Sequence, residues 1–549
     1  MTTNLLTLLA LALILQVFNI KVSSSQVGEL WTQRYNGPAD STDYASSMVV
    51  DQAGNVYVTG GSIGSSGAYY DCVTIKYNSD GMVQWLQRYN GPGDSTDFGS
   101  AVVVDGSGNV YVTGGSFGSG TKSDCITIMY NSAGVQQWIQ RYNAADNQMD
   151  EGSAIIVDGS GNVYVTGSSV LNASSYDYVT FKYNSSGVQQ WVQRYSGPGS
   201  SFDSPSSIAL DGSGNVYVAG YSTGVGTGYD CLTLKYNSSG VQQWEQRYNG
   251  PGNSTDNINS IAIDASGNVY IAGFIGGSGT GNDGITIKYN TSGVQQWAQT
   301  FNGPGNGNDN ARSLAVDVSG NVYIAGYSSG ATSGADFTTI KYNSSGVQQW
   351  LQTYNGPGNG DEDCNAIVLD ATGNVYITGY SIGSGSDYDY ATIKYNSQGA
   401  QQWLQRYNGP GNSMDQSETV AVDTSGNVYV TGTSRGTSTR RDYATVKYSQ
   451  TIGIQSISNE IPSGFSLEQN YPNPFNPVTN IRFSIPKSGL VTLKVYDISG
   501  KEISELVSQV LSAGVYNYDM DASGLSSGAY FYRLSTEDFS EVKKMVLVK

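Results

Sequence analysis

The chain has 549 residues, of which 70 are glycine and 41 tyrosine; 13% are charged and the formal net charge is −18. This mix suits short strands joined by tight turns and lacks the charge density of a disordered chain, while the acidic balance excludes a nucleic-acid binder, which needs clustered Lys and Arg. Histidine is absent, which removes Ser-His-Asp and Cys-His catalysis, His-ligated zinc and histidine general bases together.

In chain order, an apolar run at 5–18 followed by Ser23 and Ser25 reads as a signal peptide over 1–25, although its first four residues carry no Lys or Arg. The run is short for a membrane span, so no integral span is expected in the mature protein. From 26 to 450 one unit recurs. Near copies of Asp105-Gly106-Ser107-Gly108-Asn109-Val110-Tyr111-Val112-Thr113-Gly114 open at Asp51, Asp105, Asp158, Asp211, Asp264, Asp317, Asp370 and Asp423. After a first step of 54 the spacing is 53 throughout. A period of this size marks an array of one supersecondary unit.

Each unit predicts four strands, at 100–105, 109–114, 124–130 and 135–142 in the second unit, with glycine-bearing hairpin turns between the first and second and between the third and fourth. The fourth carries the single tryptophan of its unit: Trp31, Trp85, Trp138, Trp191, Trp244, Trp297, Trp350 and Trp403. A large ring recurring once per unit is what packing between neighbouring sheets requires. Four-stranded units repeated eight times predict an all-β fold, an eight-bladed β-propeller. The array begins with a lone fourth strand at 29–35 and ends after a third strand at 442–448. Pairing the two closes the ring and removes two exposed sheet edges.

The segments Asn427-Val428-Tyr429-Val430-Thr431-Gly432 and Asp442-Tyr443-Ala444-Thr445, with Lys447-Tyr448 and with Gly399 four residues before Trp403, carry a family likeness. They resemble the secreted-bacterial β-propeller repeat, the SBBP repeat. The family's name implies seven blades where this chain has eight units, and the resemblance implies a scaffold without specifying a reaction.

Residues 451–463 read as a linker. Beyond them, 464–549 predict a small Ig-like β-sandwich with strands at 480–485, 490–496, 515–519, 529–534 and 543–548. Asn470-Tyr471-Pro472-Asn473-Pro474-Phe475-Asn476-Pro477, Asp497 with Gly500 and Lys501, Gly514 with Tyr516, Leu525 with Gly528, and the run from Lys543 to Lys549 follow in order. This tail resembles the type A C-terminal sorting domain of the type IX secretion system of Bacteroidetes-type bacteria. The resemblance implies the type IX secretion machinery as a partner and an extracellular or outer-surface location in a Gram-negative cell.

Long segments such as 90–99 and 114–123 fall on one face of a propeller, and the variable loops of a rigid scaffold are where binding concentrates. Just ahead of the first strands, twelve residues past each tryptophan, stand Asp43, Asp97, Asp150, Asp203, Asp256, Asp309, Glu362 and Asp415. Strict recurrence points to loop capping by Asx-type hydrogen bonds; the alternative is a ring of carboxylates that binds Ca²⁺, which takes six to eight oxygens. Asp71, Asp124, Asp177, Asp230, Asp283, Asp336, Asp389 and Asp442, and the motif-opening Asp51 series, read as turn chemistry. The densest acidic cluster, Asp361-Glu362-Asp363, could supply the carboxylate pair of a glycosidase, but no single pair stands out. Cys72, Cys125 and Cys231 share one repeat position on separate units, too far apart for disulfides, and read as buried filler.

The expected function is a secreted or cell-surface binding or adhesion scaffold, a monomer that binds a glycan or protein on its long-loop face. The alternatives are a polysaccharide-active enzyme and a structural surface-layer component.

Overall fold

The computed structural model describes residues 27–65, 69–171, 175–199, 202–450, 454–458, 461–522 and 525–548. The expected signal peptide lies outside the described residues. The chain divides into one compact unit, Gly28–Ser449, and a second that holds Gln450–Lys549.

Gly28–Ser449 is built of eight four-stranded antiparallel sheets. Blade one comprises Asp43–Val50, Val56–Ile63, Tyr70–Tyr77 and Val83–Tyr89, and six further blades repeat that order. Blade eight takes Asp415–Val422, Val428–Arg435 and Arg441–Gln450 from the end of the array and Val27–Tyr35 from its start. First strands of successive blades pack side by side, and Asp43–Val50 meets Asp415–Val422 to close the circle. The expected eight-bladed ring, sealed by the N-terminal strand, is the fold observed.

The glycine that ends each Val-Tyr-Val-Thr-Gly motif has a steric cause. Every first strand carries a β-bulge, between Ala45 and Ser47 in blade one and between Gly99 and Ala101 in blade two. The bulge drives the carbonyl oxygen of Tyr44 or Phe98 into the space a Cβ would fill at Gly60 or Gly114, so any side chain there meets backbone.

Two devices lock blade to blade. The Trp85 ring lies 6.2 Å from Tyr57 in its own blade and 6.0 Å from Tyr130 in the next, and its Nε1 donates to Ser132 O at 3.2 Å. Trp403 is the exception: its Nε1 has no acceptor among the described residues. The third and fourth strands of blade eight come from opposite ends of the array, so no turn stands there to offer a carbonyl.

The second device is an arginine clamp. Arg141 donates to Asp124 Oδ2 (2.7 Å) and Ser116 Oγ (2.7 Å) in its own blade and to Tyr89 OH (3.0 Å) in the preceding one. Arg34, Arg88, Arg194, Arg247 and Arg406 repeat the ion pair, to Asp442, Asp71, Asp177, Asp230 and Asp389. Blades five and six carry Thr300 and Thr353 at this position instead. The four cysteines are free and buried, and burial pushes their thiols up.

The second unit contains two four-stranded sheets around one core. The expected linker 451–463 is corrected here: Ile454–Ser458 is a strand that pairs with Gly514–Asp521. A register shift between Ser456 and Ser458 breaks its alternation, which is why the sequence shows no period of two. Two more strands add to the five expected, Ser466–Leu467 and Glu502–Leu511.

Candidate functional site

The eight ring carboxylates are turned into their own blades. Each is at most 1% exposed. In seven blades Oδ2 accepts the backbone N–H six residues earlier, as Asp97 accepts Gly91 at 2.7 Å and Asp415 accepts Gly409 at 2.6 Å. In six of these blades the other oxygen takes a backbone N–H twenty residues on, such as Gly276 to Asp256 at 2.7 Å, or a serine hydroxyl, such as Ser169 to Asp150, whereas Asp97 Oδ1 has no partner among the described residues. Desolvation outweighs these bonds and raises the pKa of Asp43, Asp97, Asp150, Asp203, Asp256, Asp309 and Asp415. Among the described residues no three acidic or cysteine side chains converge as a metal site requires.

Glu362 differs from the other seven. Its Oε2 is buried with no partner among the described residues, as Asp97 Oδ1 is, and Ser381 Oγ reaches Oε1 only at 3.4 Å. Desolvation, partly offset by the Gly356 N–H and reinforced by Asp336, lifts its pKa to about 7. The motif-opening aspartates of blades one to seven behave in the opposite way. Asp105 Oδ1 accepts the N–H groups of Ser107 (2.8 Å) and Asn109 (2.9 Å), and Oδ2 accepts Asn109 Nδ2 (2.8 Å) and Tyr111 OH (3.0 Å). Burial pulls upward, but these bonds, led by those from Asn109, hold Asp105 below the usual carboxylate range.

The channel wall holds what the repeat pattern concealed. The bulged residue of each first strand is Ser46, Ser100, Ser153 and Ser206 in blades one to four, then Asn259, Arg312, Asn365 and Glu418 in blades five to eight. On blades five to seven these side chains reach across to the next first strand. Asn259 Nδ2 donates to Asn310 Oδ1 (2.6 Å) and Ala311 O (3.0 Å). Arg312 forks onto Asp363 through Nη2 (2.6 Å) and Nε (3.2 Å) and stacks over the Tyr327 ring. Asn365 Nδ2 donates to Ser417 O at 2.9 Å. Glu418 is exposed by area yet walled in by protein, and the lost hydration, with Asp363 adding and Arg312 opposing, raises its pKa to about 7. The readable signal was there: three residues past the ring carboxylate, serine gives way to Asn, Arg, Asn and Glu.

A second position varies around the ring, without following the same halves. Blades one and two place Tyr44 and Phe98 on the first strand opposite Gly61 and Gly115; blades four to seven place Ser204, Asn257, Asn310 and Asp363 opposite Tyr221, Phe274, Tyr327 and Tyr380. The aromatic ring thus moves from the first strand to the second, and a polar group takes its place at the channel.

Two open cavities occupy the long-loop face. One, of about 470 Å³, lies between blades six and seven and is lined by Tyr327, Tyr380, Tyr388, Asn308, Ser329 and the acidic cluster, among others. The other, of about 460 Å³, is lined by Thr42, Arg435, Arg440 and Arg441.

Repeating four-stranded blades closed into a ring, followed by a separate small β unit, define the class: a propeller repeat protein with a C-terminal accessory domain. Residues 30–67, 84–118, 137–169, 190–226, 296–331 and 402–438 match the family described as "Beta-propeller repeat", the SBBP repeat, and residues 469–549 match "Secretion system C-terminal sorting domain". The chain therefore carries SBBP-type β-propeller repeats and a type IX secretion sorting domain, which implies secretion. No helix among the described residues is long and apolar enough to cross a membrane.

A search of curated proteins finds no significant match. Among solved structures, a fungal alcohol oxidase of the AA5 family in complex with copper is similar over 96% of this chain and 100% of its own, at 11% identity and TM-score 0.39. Drosophila Plexin A in complex with Semaphorin 1b covers 63% and 84%, at 9% identity and TM-score 0.36. The β-propeller domain of the Trilobed protease from Pyrococcus furiosus covers 74% and 94%, at 7% identity and TM-score 0.35. At these scores the likenesses say nothing about ligand or chemistry.

Proposed function

We propose that this protein is a binding scaffold delivered by the type IX secretion system to the outer surface or the surrounding medium of a Gram-negative cell, where its long-loop face engages a glycan or protein. The observation that carries this reading is the asymmetry of an otherwise strict repeat. Fold requirements recur in every blade, whereas Asn259, Arg312, Asn365 and Glu418 replace serine in one half only. Selection for binding on a rigid frame produces that kind of local departure.

The test uses the buried state of the native cysteines. Thr332→Cys on a long loop and Ser344→Cys on a short turn each present a single exposed thiol for a bulky maleimide. Saturable binding on a glycan or surface-protein array should be blocked by the first label and spared by the second. Equal loss from both labels, or binding that neither label touches, would remove the long-loop face from consideration.

A polysaccharide hydrolase is the second reading, favoured by one observation: Glu362 and Glu418 both sit near pKa 7 in the same sector, the range a general acid needs. Release of reducing ends by the wild type but not by Glu418→Gln is its test.

A further inference from the structure

The departures from the repeat converge on one place. Blades four to seven carry the aromatic residue on the second strand, blades six and seven join through the Arg312–Asp363 fork, and the ring carboxylate of blade seven is Glu362. Over these features, on the long-loop face, opens the cavity of about 470 Å³, within the roughly 300–1,000 Å³ of small-ligand sites.

Its walls are aromatic. The Tyr380 and Tyr388 rings stand 5.1 Å apart at 85°, which gives two perpendicular faces, and Tyr388 is only partly covered. Its rim is polar. Ser329 Oγ donates to Asn308 O at 3.0 Å, and Asp361 Oδ1 accepts the Ala335 N–H at 2.9 Å, which ties the rim loops of the two blades together.

The charge balance narrows the occupant. Three consecutive carboxyl groups would call for a cation if all were free. Asp363 is matched by Arg312, and Glu362 holds its proton to about pH 7. What remains is a set of phenol, hydroxyl, amide and carboxyl groups, most of which both donate and accept hydrogen bonds, beside flat apolar faces. That combination matches a ligand whose rings have apolar C–H faces and hydroxyl edges.

We propose that the cavity between blades six and seven binds a neutral oligosaccharide, with one sugar ring on Tyr388 and hydroxyls on the Asn308–Ser329–Asp361 rim. The proposal rests on the reading of the long-loop face as the binding face and adds the place and the ligand class.

The test is isothermal titration calorimetry of the full chain with mannotetraose, cellotetraose, xylotetraose and N-acetylated chitotetraose, alongside tetragalacturonate and a chitosan tetramer. At least one neutral probe should bind, and Tyr388→Ala should weaken it about tenfold or more. Tyr388→Phe keeps the ring and should stay within about threefold of wild type, which separates a lost wall from a damaged fold. Tyr229→Ala removes the equivalent ring of blade four, 4.9 Å from Tyr221, and should change nothing. Binding confined to the charged probes, or neutral binding indifferent to Tyr388→Ala, overturns the pocket and leaves the long-loop face standing. If no probe binds, the saccharide site is overturned, while the protein-binding form of the proposed function is still decided by the thiol-label test.

Discussion

Blade five contains a small void that one substitution should fill. At the third-strand position where blades one, two and four have Cys72, Cys125 and Cys231, and blade six has Phe337, blade five has Gly284. Gly284 is buried in the strand Asn282–Tyr289 and lines a cavity of about 20 Å³ with Phe301, Ala311, Ile324 and Tyr342. A Cβ built there would sit 3.6 Å from Phe301 O, 3.8 Å from Ala311 N and 3.9 Å from Phe301 Cβ, which is contact without overlap. Gly284→Ala should gain roughly 0.5–1 kcal/mol by restricting the unfolded chain. The buried methyl adds about 0.8 kcal/mol, and the filled void about 0.5 kcal/mol. The total is roughly 2 kcal/mol, or a rise of about 2 °C for a unit of this size. Differential scanning calorimetry of the propeller transition reads it. Gly284→Phe should instead lower the midpoint, because a ring cannot enter the void without strain of about 1–3 kcal/mol. A midpoint unmoved or lowered by alanine would refute the reasoning, since it would mean that the blade depends on close approach at this point.

Three more outcomes follow from the geometry. Arg141→Leu should cost about 3 kcal/mol by leaving Asp124, 4% exposed, without its cation, whereas Thr353→Arg should stabilise by supplying one to Asp336, whose pKa burial raises; equal thermal shifts in both variants would discredit the clamp. For Glu362, raised to about 7 from an ordinary 4.5, the folded state binds the extra proton, so its contribution is fully present at low pH and is lost as pH climbs through about 7. Stability should therefore fall across that window, and Glu362→Gln should flatten the fall and gain roughly 2–3 kcal/mol at pH 8 by denaturant titration; an unchanged slope would rule this proton linkage out. Because the ring oxygens, Asp97 Oδ1 and Glu362 Oε2 apart, are taken up by backbone and serine donors, millimolar Ca²⁺ should raise the melting temperature no more than Mg²⁺ does. A Ca²⁺-specific rise lost in Asp97→Asn/Asp150→Asn/Asp203→Asn would instead establish a metal ring.

Strand order and closure were legible because the propeller's turns are local. Asp105 and Asn109 fix a hairpin within five residues, and such chemistry repeats visibly in sequence. The tail was harder to read for a physical reason. In Glu502–Leu511 the apolar residues Ile503, Leu506, Val507, Val510 and Leu511 follow a helix-like spacing, because the register against Gly489–Tyr496 slips twice, past Leu506 and past Ile503. Each bulge inserts one residue and resets the alternation. At the ring carboxylates the sequence gives spacing but not direction: the same Asp could face the channel or cap its own loop, and only the N–H of Gly91 or Gly409 within reach decides it. The bulged channel residues went unread for a related reason. A bulge puts the side chain out of phase with its strand, so Arg312 and Glu418 look like ordinary alternating positions.

The sector that breaks the repeat is also the one that forgoes its stabilising devices. Thr300 and Thr353 give up the arginine clamp in blades five and six, Gly284 leaves a void in blade five, and burial raises the pKa of the ring carboxyl Glu362 to about 7 in blade seven. A strict repeat offers every blade the better residue, as Arg141 and Cys125 show in blade two. Each departure is destabilising on the reasoning above, and three contiguous blades hold all of them. Blades one to four, with serine at the bulge and an arginine in every clamp, form the half of the ring that holds its shape for the other. Where consistency between local and global structure fails inside an otherwise consistent fold, function is the expected cause, and the failures here surround the Tyr380–Tyr388 cavity. If the neutral saccharide site is correct, Gly284→Ala and Thr353→Arg should trade affinity for stability, while Arg141→Leu in blade two should cost stability and leave affinity unchanged.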